Sequence, residues 1–394
     1  MKRSDDRILT TLVGSLPRPI DLRKMWDAKL TGQGHDEKTF LARIKSSSAE
    51  MVQKLMETGI DVVSDGEQGR LGWTNYLSER LAGFEDRTPP PGGTQANSRE
   101  RGVGAFAGYF AEVARLRAMG GGREFVPASL ENPDLEMVCV GPVSYHGHRE
   151  MNREISNFKA ALEGVQVAEA FMPSVGPDNV VYQGNQYYST QEEYTSACAE
   201  AMRTEYQAVV DAGFILQIDT PVMKYDAIAM SLEDFRKRFA QLVEILNHAL
   251  RGIPEDRVRI HICYGGGRGP HSGDVNLNDF VDLVMKLNAV GFSYDQDPRH
   301  EHEWEIWKDT KLPNGKVLIP GCVGHTNDVI EHPVLVKQRI VRLANLVGRE
   351  NVIAGTDCGF AQNVFAPKLH SDLVWAKLIS LVEGAQLATD ELWG

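Results

Sequence analysis

A chain of 394 residues with a net charge of −12 is long enough to bury a large core, and its acidic balance argues against non-specific nucleic-acid or anionic-membrane binding, which need basic patches. Its five cysteines are too few for a disulfide framework at this length and suit a reducing, cytoplasmic setting in which thiolate ligands persist. The charged start, Met1 to Arg7, runs into no long apolar stretch, so neither a secretory signal nor a membrane anchor is expected.

Short β-branched runs then alternate with helical stretches. In chain order the runs are residues 10–14, 60–64, 169–172, 215–219, 259–264, 291–295, 317–320 and 352–355. Between them lie amphipathic segments with glycine stops, such as Thr195 to Asp211 closing at Gly213 and Phe239 to Arg251 closing at Gly252 before Pro254. Eight such strand–helix units predict an α/β fold of the (β/α)8 TIM-barrel type, as one domain over residues 1–394. The stretch from about Ala82 to Gly147 breaks this rhythm with Pro89–Gly93, the glycine-rich Met119–Gly122 and an extra strand-like run at Met137–Gly141. It is expected to be an insertion after the second strand unit, with a β-hairpin or meander over one barrel face.

In such a barrel the chemistry sits at the carboxyl ends of the strands. Alternate residues of a strand share a face, so His261 and Cys263 point one way while Ile260 and Ile262 cover the other. Cys358 follows the last run. One imidazole and two thiolates form a set that suits zinc and leaves a fourth position for a substrate. The competing reading is three satisfied core side chains, since cysteine and strand histidine are often buried without a ligand.

Several ordered motifs carry a family resemblance. Thr11 to Arg18, Asp65 to Arg70, Leu216 to Pro221, His261 to Tyr264 and Thr356 to Gly359 resemble the motifs of the catalytic half of cobalamin-independent methionine synthase. Gly269-Pro270-His271, Pro298 to Trp304, Glu331-His332-Pro333 and Ala354 to Phe360 resemble the epoxyalkane:coenzyme M transferase branch of that superfamily. The resemblance implies a zinc-dependent thiol alkyltransferase with His261, Cys263 and Cys358 as ligands, and with Asp295 where the synthase places a ligand glutamate. Asp295 is either a fourth ligand or a solvent-bridging neighbour of the metal. Glu67 and Asp219 map onto the carboxylates that hold the substrate's amino group, and the Val13 and Ser15 backbone onto the lining of the thiol pocket. The alternative for the two carboxylates is a structural one, pairing with Arg70 or capping a helix.

The chain departs from the pattern at Thr220, where methionine synthase has a second acid, and at Arg268, where the coenzyme M branch carries an acidic residue. His325 falls near the synthase's acid histidine and is either a proton donor to the departing group or a loop-packing residue. The His300–Glu303 run looks metal-like but accompanies the site in the family without supplying ligands. Cys198 reads as core, and Cys322, at a strand end, as the rival ligand.

The function that follows is alkyl transfer by a zinc-bound substrate thiolate attacking an electrophilic carbon, as in epoxide opening. The alternative is methyl transfer to homocysteine from a folate or methylcobalamin donor; outside enzymes, a zinc- or thiol-binding protein without turnover. The partners expected are a small-molecule thiol and an alkyl donor or epoxide, with no nucleic acid or membrane, and with homo-oligomerisation left open.

Overall fold

A computed structural model describes residues 1–87, 106–118, 136–181, 184–220, 231–264, 274–296, 298–365 and 369–394. Its strands are β1 (Val62–Val63), β2 (Leu81–Arg87), β3 (Glu136–Tyr145), β4 (Glu169–Val175), β5 (Gly184–Asn185), β6 (Ile215–Thr220), β7 (Val258–Ile262), β8 (Gly291–Tyr294), β9 (Val317–Val323) and β10 (Gly355–Thr356). Seven of them form a parallel sheet in the order β1-β4-β6-β7-β8-β9-β10. Residues 10 and 11 close the ring: Thr10 bridges to Ala354 and Thr11 to Val62, both in parallel. All eight strand-like runs of the sequence therefore lie in the wall of one (β/α)8 barrel.

The strands are buried on both faces, as parallel strands under a coat of helices must be. In β7 every residue is buried; Val258, Ile260 and Ile262 join the main apolar core, while Arg259 and His261 have the opposite parity and face the barrel interior. Register puts Gln217 beside Arg259, Asp219 beside His261, and His261 beside Ser293. The interior thus carries a polar column of alternating strand positions.

Two helices show where sequence periodicity falls short. The segment expected from Thr195 begins at Gln191, because Thr190 and Glu193 form a reciprocal capping box that satisfies its first N–H groups. The one expected over Phe239–Arg251 runs Leu232–Ala249, started by the Ser231 side chain accepting from Asp234 N–H. Arg251 lies beyond its end.

Strands β2 and β3 pair antiparallel, as the hairpin reading expected, but a third strand, β5, comes from beyond the insertion and joins β3 in parallel. This small sheet is tied to the barrel by buried charge. Glu154 accepts from Arg70 and Arg80, and Glu205 accepts from Tyr76, Tyr145 and Ser174. The Pro89–Gly93 and Met119–Gly122 motifs, Pro221, and residues 265–273 with Arg268 lie outside the described residues.

Candidate active site

At the carboxyl end of β7 and the loop after β10, three side chains converge. Candidate ligand atoms of His261, Cys263 and Cys358 all lie within 4.8 Å of one another, and all three residues are buried. The two sulfurs are 3.4 Å apart, well beyond the ~2.05 Å of a disulfide, and both cysteines are free. Tetrahedral zinc with Zn–S bonds of about 2.3 Å would hold two thiolates about 3.7 Å apart, so the pair is spaced for a shared cation. His261 Nδ1 is 3.1 Å from Ser293 Oγ, while its Nε2 is buried without a hydrogen-bond partner. A ring fixed at one nitrogen with the other left open is how a metal-binding imidazole is held. The hydrogen bond shared with Cys263 holds the Cys358 thiol well below its ordinary range against the opposing effect of burial, with His325 and His261 adding to the depression. These residues fit zinc.

Asp295 is outside the cluster; its Oδ2 accepts from Tyr264 N–H at 3.1 Å. Cys322 is also outside it, buried in β9, with burial pushing its thiol up to about 12. Cys198 is fully buried in the helix Gln191–Asp211. His300 sits between Asp274 at 3.1 Å and Glu303 at 3.2 Å and stacks on Tyr264 with ring centroids 3.8 Å apart. Glu301 pairs with Arg339 and Arg342. That run braces loops and contributes nothing to the three-residue cluster.

His325 lies beside the cluster, with Nδ1 2.9 Å from Asp357 Oδ1, and both residues are buried. The same Asp357 oxygen accepts the N–H of Cys358 at 2.8 Å.

Two carboxylates face the interior near the triad. Glu67 is, among the described residues, the one non-glycine at positive φ, at 55°; backbone strain of this sort collects at functional sites. Its Oε2 is buried without a partner, and burial pushes its carboxyl up to about 7, against the pull of Arg70 and Arg18. Arg70 itself bonds to Glu154 at 3.0–3.1 Å, so the expected alternative of a Glu67–Arg70 pair gives way to a different partner. Gly14 makes room for this carboxylate: a Cβ there would come within 2.7 Å of Glu67 Oε1. Asp219 accepts from Gln217 Nε2 at 2.8 Å, and burial raises its carboxyl to about 6, with His261 opposing.

The backbone of the expected pocket lining is hydrogen-bonded within the protein. Val13 donates its N–H to Thr356 Oγ1 at 3.0 Å and its carbonyl accepts from Gln217, while the Ser15 carbonyl accepts from Phe360 N–H at 3.0 Å. These bonds fix the Val13 and Ser15 backbone in place. Below them Arg259 crosses the barrel axis, bonded to Gln217 Oε1, Thr11 Oγ1 and the Leu12 carbonyl, with its guanidinium 3.4 Å from the Phe171 ring centroid.

Sequence reasoning missed the staple that joins the rim loops. The buried Arg18 guanidinium donates to the carbonyls of Leu16, Ala361, Glu67 and Arg70 at 2.6–3.1 Å. Trp73 N–H bonds to the Gln362 carbonyl and Val364 N–H to the Leu71 carbonyl, each at 2.9 Å. The loop bearing Glu67 is thereby zipped to the loop bearing Cys358.

Residues 8–90 match the family described as the cobalamin-independent synthase catalytic domain. The chain is 22% identical over 385 residues to a methionine synthase of Thermococcus kodakarensis, covering 97% of this chain and 94% of that one. It is 25% identical over 387 residues to the methionine synthase of Saccharolobus solfataricus, at 97% and 95% coverage. Among solved structures, a B12-independent methionine synthase from a Shewanella species in complex with selenomethionine superposes with a TM-score of 0.71 at 18% identity, covering 98% of this chain and 99% of that one. Residues 8–90 thus match the catalytic domain of the cobalamin-independent synthases, and over nearly its whole length the chain has methionine synthase homologues that share its fold.

Proposed function

We propose that the protein is a zinc-dependent transferase that moves an alkyl group, a methyl group in the reading its relatives favour, to the sulfur of a small thiol. The observation that carries this is the His261, Cys263 and Cys358 cluster with its sulfurs 3.4 Å apart and an open imidazole nitrogen beside them. Zinc held there would supply the Lewis acidity that makes a substrate thiol ionise near neutral pH.

The chain's own residues divide the remaining work. Glu67 and Asp219 orient the acceptor by its polar end; with carboxyls poised near 7 and 6, both become better partners once an ammonium enters, which suits an aminothiol such as homocysteine. Val13, Ser15 and Gly14 shape the wall that excludes water. His325, held by Asp357, is the group that gives a proton to the departing donor. Asp295, anchored to the Tyr264 N–H, acts from outside the ligand set. The motifs at residues 298–304 and 354–360 suggest an epoxide as the alternative electrophile, whose opened alkoxide would draw on the same His325 proton.

Zinc analysis with zinc-edge X-ray absorption tests this reading. About one zinc per chain is expected, lost in Cys358→Ser, with a sulfur neighbour gained when homocysteine is added to the native protein. Full zinc retention by that variant overturns the ligand assignment; no added sulfur with any small thiol overturns thiol activation.

A further inference from the structure

Gln362 stands outside the chemistry assigned above. Its Nε2 donates to Cys358 Sγ at 3.1 Å. A thiolate only accepts hydrogen bonds, so the NH2 end of the amide, and not its carbonyl oxygen, belongs on that side. The aim of the side chain is set by its backbone. Trp73 N–H holds the Gln362 carbonyl, Gly72 and Asn363 form an antiparallel bridge, and Arg18 grips the Ala361 carbonyl at 2.7 Å. Cys358 is buried and Gln362 half-buried, so the amide meets the sulfur from the side of the rim.

A site that hands an alkyl group to one sulfur in the company of two others has a specific hazard. Were Cys358 to take the electrophile, a new S–C bond would form and the leaving group would depart with the electron pair of the broken bond. The thiolate would become a neutral thioether, a much poorer zinc ligand. Hydrogen bonds to a charged acceptor are the strong ones, and those to ligand sulfurs tune metal–thiolate sites.

We propose that Gln362 protects Cys358 from alkylation: its N–H···S hydrogen bond withdraws electron density from the ligand sulfur and leaves the substrate thiol as the better nucleophile. Gln362 acts through Cys358, as a positioning residue, and the inference rests on the metal reading above. It makes Gln362 a determinant of which sulfur is alkylated, and so of how many turnovers the site survives.

Two readouts on Gln362→Leu and on Gln362→Asn, which draws the amide back by one methylene, test it. In the cobalt-substituted proteins the sulfur-to-cobalt charge-transfer band should move to lower energy than in the native chain, because the Cys358 sulfur becomes more electron-rich. In the zinc proteins treated with methyl iodide in the absence of thiol, peptide mapping should show Cys358 methylated faster relative to Cys263, on the order of five-fold, the effect of one ordinary hydrogen bond. An unmoved band together with an unchanged Cys358-to-Cys263 methylation ratio in both variants would overturn the proposal. Loss of the metal from both would overturn it as well, since the amide would then serve to hold the ion. A native protein that shows no charge-transfer band at all would instead remove the metal reading, and this inference with it.

Discussion

His325 and Cys358 are tied through a single oxygen: Asp357 Oδ1 lies 2.9 Å from the imidazole Nδ1 and accepts the Cys358 N–H at 2.8 Å. The His325 imidazole and the Cys358 backbone are therefore coupled through one carboxylate. Replacing His325 with Ala should slow turnover by about 10²-fold or more, the usual worth of a placed general acid, with zinc content unchanged. Asp357→Asn should lower kcat in the same direction while the KM for thiol stays near that of the native protein. Single-turnover rates and metal analysis check both.

The cysteines outside the triad give a counter-test of the ligand set. Cys322→Ser and Cys198→Ser should keep about one zinc per chain, because neither belongs to the cluster, whereas Cys263→Ser and Cys358→Ser should lose it. Zinc content after gel filtration in the presence of a mild chelator separates the two groups.

Glu67 predicts a pH dependence of stability. Its folded pKa is raised, to about 7 from an ordinary 4.5, so the folded state holds the proton longer than the unfolded chain does. The native protein should therefore lose stability as pH climbs from about 4.5 through 7 relative to Glu67→Gln, which has no charge to bury. A shift of this size corresponds to at most about 3 kcal/mol. Thermal unfolding of the two proteins at pH 5 and pH 8 should show the gap opening in favour of the variant at the higher pH. A gap that is the same at both would mean that Glu67 is not a buried acid.

Gly14 carries a steric prediction. It has φ of 152°, and a Cβ there would meet Glu67 Oε1 at 2.7 Å and Pro173 Cγ at 2.9 Å. Gly14→Ala should push the Glu67 carboxylate aside, raising the KM for the thiol severalfold while zinc binding persists. Isothermal titration with the thiol and metal analysis give the two readouts.

Arg18 carries an energetic one. Arg18→Leu would remove the shared donor of four carbonyls; those of Leu16 and Glu67 keep Gln68 Nε2 and the Arg70 N–H, while those of Ala361 and Arg70 lose their partner, at a cost of about 2 kcal/mol or more. Urea unfolding should show this loss. Zinc affinity should fall as well, because the Cys358 loop is then held to its neighbour only by the Trp73–Gln362 and Val364–Leu71 backbone bonds.

The barrel and its metal-like cluster were legible in the sequence because both rest on local periodicity. Strand runs announce themselves by β-branched composition, and the alternation of His261 with Cys263 fixes their common face without any knowledge of neighbours. What stayed hidden is what loops do across space. Ser293 under His261, Gln362 on Cys358 and Asp357 on His325 are each a contact between segments whose separation says nothing of their approach. The partner of Arg70 stayed hidden for a related reason: Glu67 is three residues away in sequence, yet the Arg70 guanidinium bonds to Glu154, 84 residues on. Helix starts at Gln191 and Leu232 were missed because capping side chains, and not the apolar stripe, decide them.

The Arg259 side chain has a kinetic consequence. Bonded on three sides, with its guanidinium 3.4 Å from the Phe171 ring centroid, it fills the barrel axis beneath the triad, so that whatever reaches the two sulfurs comes by way of the rim. On the proposed function, a thiol whose sulfur has to meet the ligands would then enter ahead of the alkyl donor, and the product would leave after the spent donor.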